Sequence, residues 1–233
     1  MNVKWGVVIV AAGRGSRMGT KESKQYLSLG DKPILVHTLE RFQCMDFVEE
    51  IVLVVGEGDL ARCEQWVSLY GLTKVAGVLS GGQERQHSVL RGLMAIRSDW
   101  VMVHDGVRPF VTEAAAGNCC KTALASGAAV LAVPVKDTIK QVDEAGVIVS
   151  TPDRKSLWAI QTPQAFRREL LLEAHRLAQT DGFLGTDDAM AVERMGVPVA
   201  VAEGDYTNIK ITTPEDLPYA EFLLEQRAKR GDS

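Results

Sequence analysis

No stretch of the sequence approaches the roughly 20 consecutive apolar residues that a membrane-spanning helix needs, so no span is predicted. The start, Met1-Asn2-Val3-Lys4-Trp5, lacks a secretory apolar region closed by small cleavage-site residues, and the apolar run from Trp5 to Ala12 is read instead as the first core strand. Cysteine is sparse. Cys44, Cys63, Cys119 and Cys120 show no C-x-x-C spacing and the last two are adjacent, which argues against both a zinc site and a disulfide framework. These absences predict a cytoplasmic protein in a reducing compartment. Basic excess is also missing. With 26 Lys and Arg against 30 Asp and Glu, the formal net charge is -4, which argues against broad binding to nucleic acid or anionic membrane. Any anionic ligand must then be met by local positive charge. There are no repeats and no low-complexity linker. The 233 residues, 46% hydrophobic and 24% charged, suffice for a substantial core in one domain spanning 1–233.

What is present is organised around Val7-Val8-Ile9-Val10-Ala11-Ala12-Gly13-Arg14-Gly15-Ser16-Arg17-Met18-Gly19, with Lys24-Gln25 just behind. Consecutive branched aliphatics suit a strand buried on both faces, and they run directly into small residues and arginines. That is the pattern of a central parallel strand feeding a phosphate-handling loop. Backbone N–H groups can cradle phosphate oxygens only where no side chain holds the ligand off, as Ala11, Ala12, Gly13 and Gly15 permit. Arg17 and Lys24 add positive charge beside them. The dinucleotide fingerprint does not fit, because the third glycine comes one residue late, at Gly19, and no Walker triplet is present.

Strand and helix signals then alternate. Ile34 to Phe42 places Ile34, Leu35, Thr38, Leu39 and Phe42 on one helical face, with Pro33 suited to its first position. Ile51 to Val55 reads as a strand, Leu60 to Tyr70 as a helix, Val75 to Leu79 as a strand and Glu84 to Ile96 as a helix. Trp100 to Val103 is a strand running into His104-Asp105. Thr112 is a cap for a helix through Leu124, and Ala128 to Val133 is a strand. Strand and helix at this spacing predict a doubly wound α/β sheet, whose ligands bind outside the carboxyl ends of the strands. Val135 to Val142 and Gly146 to Thr151 look instead like a hairpin arm at about 135–155. A projecting hairpin needs cover, and the simplest cover is a second copy, so the sequence predicts a homodimer. Thr162-Pro163-Gln164 is read as preceding a helix at about Arg167 to Gln179. Thr186-Asp187-Asp188 caps a helix to Met195, Val197 to Ala202 is the last strand, and Thr213-Pro214-Glu215-Asp216 starts the final helix.

Ala11-Ala12-Gly13-x-Gly15-x-Arg17-Met18, Lys24-Gln25-Tyr26-Leu27, Gly81-Gly82-x-Glu84-Arg85-x-x-Ser88, Asp105-x-x-Arg108-Pro109, Asp137-Thr138, Thr162-Pro163-Gln164 and Asn208-Ile209-Lys210 together give a strong resemblance. In this order and over nearly the full chain, they resemble the 2-C-methyl-D-erythritol 4-phosphate cytidylyltransferases. The resemblance implies a Rossmann-like, doubly wound mixed sheet with a projecting β-hairpin arm, the nucleotide-diphospho-sugar transferase type. It implies transfer of CMP from CTP to the methylerythritol phosphate, with release of pyrophosphate, on the non-mevalonate isoprenoid route. Arg17 and Lys24 would stabilise charge at the α-phosphate. Ala11, Ala12, Gly13 and Gly15 would hold the triphosphate, and Mg²⁺ or another divalent cation would bridge its oxygens. Gly82 and Ser88 would serve the cytosine pocket, and Asp105 would lie near the ribose or the metal. Thr138, Arg154 and Lys210 match the family's polyol-phosphate contacts, the first two supplied by the partner subunit's arm.

The residue types make sense of such chemistry. A phosphate monoester is already an anionic nucleophile at neutral pH, so no serine or histidine dyad is required. Taken alone, Gly82, Ser88 and Asp105 also fit a loop turn, a helix-facing hydroxyl and a turn carboxylate. His104 reads as a structural strand-end histidine, and Asp187-Asp188 as a helix start rather than a metal pair, with contact of the two aspartates to the polyol left open. The sequence departs from the family pattern at Ser23, often proline, at Gln83, commonly aspartate, and at Gly106-Val107, usually Ala-Ala. Gln83 could change contact with the base, since an amide both donates and accepts. Two alternatives remain open at this point: a ribitol-5-phosphate cytidylyltransferase on the same framework, and a nucleotide-binding module without turnover.

Overall fold

In the computed structural model, which describes residues 3–13 and 22–230, the first strand shows how the whole sheet is built. Side chains alternate along β1 (Trp5–Ala11), so Val7, Ile9 and Ala11 enter one hydrophobic layer while Val8 enters the layer on the opposite face. Helices must therefore cover both sides. A 3₁₀ turn at Lys24–Tyr26 and a short ribbon of β2 (Ser28–Leu29) and β3 (Lys32–Pro33) lead to α1 (Ile34–Gln43), which buries the predicted face together with Val36. Then come β4 (Val48–Val55), α2 (Leu60–Leu69), β5 (Val75–Ser80), α3 (Arg85–Ala95) and β6 (Trp100–Asp105). Next, α4 (Glu113–Ser126) starts where the Thr112 hydroxyl accepts from the Ala115 N–H at 3.1 Å, a cap worth about 1 kcal/mol. Behind α4 lie β7 (Ala128–Pro134), β8 (Gln141–Val142), β9 (Ile148–Ser150), β10 (Trp158–Arg167), α5 (Arg168–Thr180), α6 (Asp188–Glu193), β11 (Ala200–Glu203) and α7 (Asp216–Arg230).

The seven-stranded sheet has the order β11-β7-β10-β6-β1-β4-β5. β1 pairs in parallel with β4 on one side and β6 on the other, and β4 with β5 and β7 with β11 are parallel as well. Only β10 is antiparallel, to both of its neighbours, which makes the sheet mixed. β8 and β9 form their own antiparallel pair, and residues 136–160 are almost entirely exposed in the single chain.

β10 corrects the sequence reading, in which Thr162-Pro163-Gln164 only preceded a helix. These residues lie inside a ten-residue strand. Proline cannot donate to a ladder, and Pro163 sits where pairing with β7 skips from Ile160 to Gln164, so its missing N–H costs no rung. Smaller differences occur at ends. The last strand is Ala200–Glu203 rather than 197–202, and α6 stops at Glu193. α7 begins at Asp216, whose carboxylate accepts from the N–H groups of Thr212 and Thr213 at 2.7 and 2.9 Å. The acid thus reaches back over the turn.

Candidate active site

The chain passes from β1 to β4 on one side and returns to β6 on the other, so a crevice opens between the carboxyl ends of β1 and β6. Ala11, Ala12, Gly13, Lys24, Gly82, Ser88, Asp105 and Lys210 all line this cleft. Of the residues picked from sequence, Gly15 and Arg17 lie outside the described residues. Thr138 and Arg154 are not brought to the cleft of their own chain. Both are exposed, and Arg154 donates to the Lys136 carbonyl at 2.9 Å.

The loop after β1 is held from below. Gln25 is buried and its amide donates to the carbonyls of Ala11 at 2.7 Å and Gly13 at 3.0 Å. On the facing wall, the Ser88 hydroxyl accepts from the Gly82 N–H at 3.1 Å and donates to the Glu84 carbonyl at 3.3 Å. Ser88 is therefore committed to shaping the turn. A Cβ on Gly81 would lie 2.3 Å from the Ala12 Cβ, so the glycine turn presses directly against the first loop. A Cβ on Gly13 would meet nothing within 4 Å among the described residues. No described packing contact requires glycine there; a ligand approaching the backbone would.

Asp105, at the end of β6, is the electrostatic centre. Its carboxylate lies 2.8 Å from Lys210 Nζ, 3.3 Å from Arg85 Nε and 3.5 Å from Arg108 Nε. Burial works to raise its pKa, but Arg85, Lys210 and Arg108 overrule burial and hold it well below the usual carboxylate range. Such a group accepts hydrogen bonds and balances charge; it does not wait to take a proton.

His104 is no base either. It is fully buried, and burial lowers its pKa to about 3. The Arg108 carbonyl, 3.1 Å away, can only accept, so the proton sits on Nε2 and Nδ1 accepts from the Thr162 hydroxyl. Thr162 in turn accepts from the Asp105 N–H. The histidine fixes the strand end, as its sequence position predicts. Arg108 donates to the Asn208 carbonyl at 2.8 Å, and Asn208 donates to the Thr162 carbonyl at 2.8 Å, which ties the segment carrying Lys210 to β10.

Sequence reasoning missed what the side chains of Gln25, Arg85 and Asp188 hold. Gln25 and Arg85 stood within quoted motifs, but nothing in spacing says where a side chain turns. Asp188 forms the predicted helix start together with Asp187, whose carboxylate caps α6, yet its own side chain is buried against Arg85 and His175.

A doubly wound sheet whose switch point gathers glycine-bearing loops with Lys24 and Lys210 is the architecture of the Rossmann-like nucleotidyltransferases. The family model for 2-C-methyl-D-erythritol 4-phosphate cytidylyltransferase matches residues 6–226, and the chain belongs to that family. The protein of that name from Geotalea uraniireducens is 51% identical over 223 residues, covering 94% of this chain and 95% of its own. Its counterpart from Geobacillus thermodenitrificans is 50% identical over 222 residues, covering 94% and 96%. Among solved structures, 4-diphosphocytidyl-2C-methyl-D-erythritol synthase from Anaerococcus prevotii superposes with a TM-score of 0.84 at 30% identity, covering 96% of this chain and 99% of that one. The Thermus thermophilus 2-C-methyl-D-erythritol 4-phosphate cytidylyltransferase gives 0.78 at 35% identity, covering 96% and 98%. Among the described residues, no helix is long and apolar enough to cross a membrane.

Proposed function

We propose that the cleft between β1 and β6 carries out cytidylyl transfer from CTP to 2-C-methyl-D-erythritol 4-phosphate, giving 4-diphosphocytidyl-2-C-methyl-D-erythritol and pyrophosphate for isoprenoid synthesis. The observation that carries this reading is the convergence of the Ala11–Gly13 backbone, Lys24 and the Asp105–Lys210 pair on one cleft. The acceptor phosphate arrives as an anion, so the protein need not remove a proton, and neither Asp105 nor His104 is in a state to do so. Its task is charge management. Attack at the α-phosphorus forms a bond to the acceptor oxygen and breaks the bond to the β-phosphate, and the developing charge needs fixed positive partners.

Lys24 and Arg17 stabilise that charge, while the backbone from Ala11 to Gly15 holds the triphosphate. Gln25 helps by tying back two carbonyl oxygens that would otherwise repel it. Gly82 and Ser88 frame the wall that receives the base, and Asp105 serves the ribose. A divalent cation such as Mg²⁺ fits this donor set only as an ion carried by the nucleotide's own phosphate oxygens. Among the described residues no group of three metal-ligating side chains occurs, and Asp105 offers at most one ligand. When bound, the ion neutralises phosphate charge.

Lys210 meets the acceptor phosphate from within the chain. Thr138 and Arg154 reach it from the partner subunit's arm, so a homodimer completes the site. The arm's exposed apolar residues, Val142, Val147, Ile148 and Val149, favour such a partner. The rest is one domain, and a cytoplasmic location suits a nucleoside triphosphate substrate.

The test is pyrophosphate release with CTP and Mg²⁺, offering methylerythritol 4-phosphate or ribitol 5-phosphate, for wild type and Lys24→Ala. Turnover with the first acceptor, falling about 10²–10³-fold in the variant, is expected. Preference for ribitol 5-phosphate would move the acceptor, and CTP binding without release from either would overturn the reading.

A further inference from the structure

The cleft wall continues inward as a line of charge that the transfer itself does not use. Arg85, on the first turn of α3, places Nε 3.3 Å from Asp105 Oδ1 and Nη2 2.8 Å from Asp188 Oδ2. Asp188 is wholly buried, and its other oxygen lies 3.1 Å from His175 Nε2 on α5. A carboxylate can only accept, so Nε2 carries a proton, while His175 Nδ1 is buried without a hydrogen-bond partner among the described residues. The start of α6 is fixed separately, for the Gln164 side-chain oxygen on β10 accepts from the N–H groups of Asp188 and Ala189, each at 3.1 Å.

A buried ion pair is weak support for stability, since desolvation consumes most of the attraction; its better use is to fix geometry. A guanidinium is planar, so fastening one edge to Asp188 also fixes the direction in which the other edge meets Asp105. We propose that Asp188 and His175, neither of which lines the cleft, are positioning residues for the transfer. They hold Arg85, Arg85 holds Asp105 Oδ1, and Oδ2 is thereby kept facing Lys210 at the reacting end of the cleft. The inference rests on the cytidylyl-transfer reading of that cleft. No sequence window joins Asp188 to its partner Arg85, 103 positions away.

The test uses the full chain with two readouts. The first is the nitrogen-15-edited NMR signal of Arg85 Nε–H, assigned through loss in Arg85→Lys. Wild type should show a slowly exchanging proton, and in Asp188→Asn its exchange should quicken at least tenfold. The second is steady-state kinetics, in which Asp188→Asn should lower kcat about tenfold with KM for CTP changed less than threefold. Asp188→Asn combined with Arg85→Lys should be no slower than Arg85→Lys alone, because both act through one guanidinium. Should Asp188→Asn fail to fold, His175→Gln, which keeps a donor for Asp188, should retain the slow Nε–H, and His175→Leu should lose it. Unchanged exchange in the variants overturns the inference whatever the activity. Additive losses of kcat overturn it too, as does an Asp188→Asn enzyme that is merely less heat-stable. A wild-type chain that releases no pyrophosphate fails the cleft reading instead, and the NMR signal still reports whether Asp188 holds Arg85.

Discussion

Gln25 Nε2 sits 2.7 Å from the carbonyl oxygen of Ala11, the last residue of β1, so the loop proposed to hold the triphosphate is anchored from the segment that carries Lys24. The same amide reaches the Gly13 carbonyl. Gln25→Leu keeps the volume and removes both bonds, leaving the buried Ala11 carbonyl without this donor. The variant should lose roughly 1–3 kcal/mol of stability in urea unfolding and bind CTP more weakly. If unfolding and KM both match wild type, the anchor is idle.

Two glycines should separate packing from ligand approach. Gly81→Ala forces a Cβ against Ala12 and should cost roughly 1–3 kcal/mol, a fall in Tm on the order of 5 °C. Gly13→Ala meets no described atom and should leave Tm within about 2 °C while raising KM for CTP several-fold. Calorimetry beside steady-state kinetics reads both. Unaltered KM in Gly13→Ala would remove the backbone cradle from the mechanism.

Acid should destabilise the chain before its carboxylates titrate. His104 has its pKa lowered to about 3 by burial, against about 6.5 in the unfolded chain. Between those values the unfolded state binds the extra proton, so stability rises with pH across that window and is lost as pH falls through it. The slope approaches about 1.4 kcal/mol per pH unit from this one group. Unfolding free energies measured from pH 7 to 4 should show it, and His104→Gln should flatten the curve even if it lowers stability throughout. An equally steep curve in the variant would assign the acid sensitivity elsewhere.

The exposed arm gives a further prediction. Ile148 is 58% exposed in the single chain, so Ile148→Asp costs the isolated fold little. It should convert a dimer to a monomer in sedimentation velocity and lower turnover, with an unchanged circular-dichroism spectrum. A variant that remains dimeric and active would place the interface on another surface.

Much of the framework was legible because its signals are local. Val7 to Val10 and Ile51 to Val55 are branched apolar runs that read as core strands, and Thr112 announces α4 by the side chain that caps it. β10 was not, because the residues at its centre are polar and spend their hydrogen bonds on distant elements. Gln161, Thr162 and Gln164 are polar and buried, and with Pro163 they carry no strand pattern and read only as the lead-in to a helix. Their hydrogen bonds go to Asn208, His104 and the start of α6, elements that no sequence window contains. The cleft was legible where a motif states its chemistry, as at Gly13, Lys24 and Asp105. It was not where position depends on a distant partner, as for Arg85 and Asp188. Arg17 and Gly15 lie outside the described residues and stand as proposals.

Trp158 pairs with Pro134 across the β7–β10 ladder, so the chain leaves the sheet and re-enters it on the same rung. Residues 135–157 are therefore, in topology, the loop of a single hairpin whose stem is two central strands. Such an excursion can lengthen, shorten or change sequence without altering any strand's neighbours. The fold thus separates two kinds of constraint: a sheet edge that keeps Asp105 and Lys210 in place within one chain, and an appendage answerable only to the partner surface and the site it is proposed to complete there.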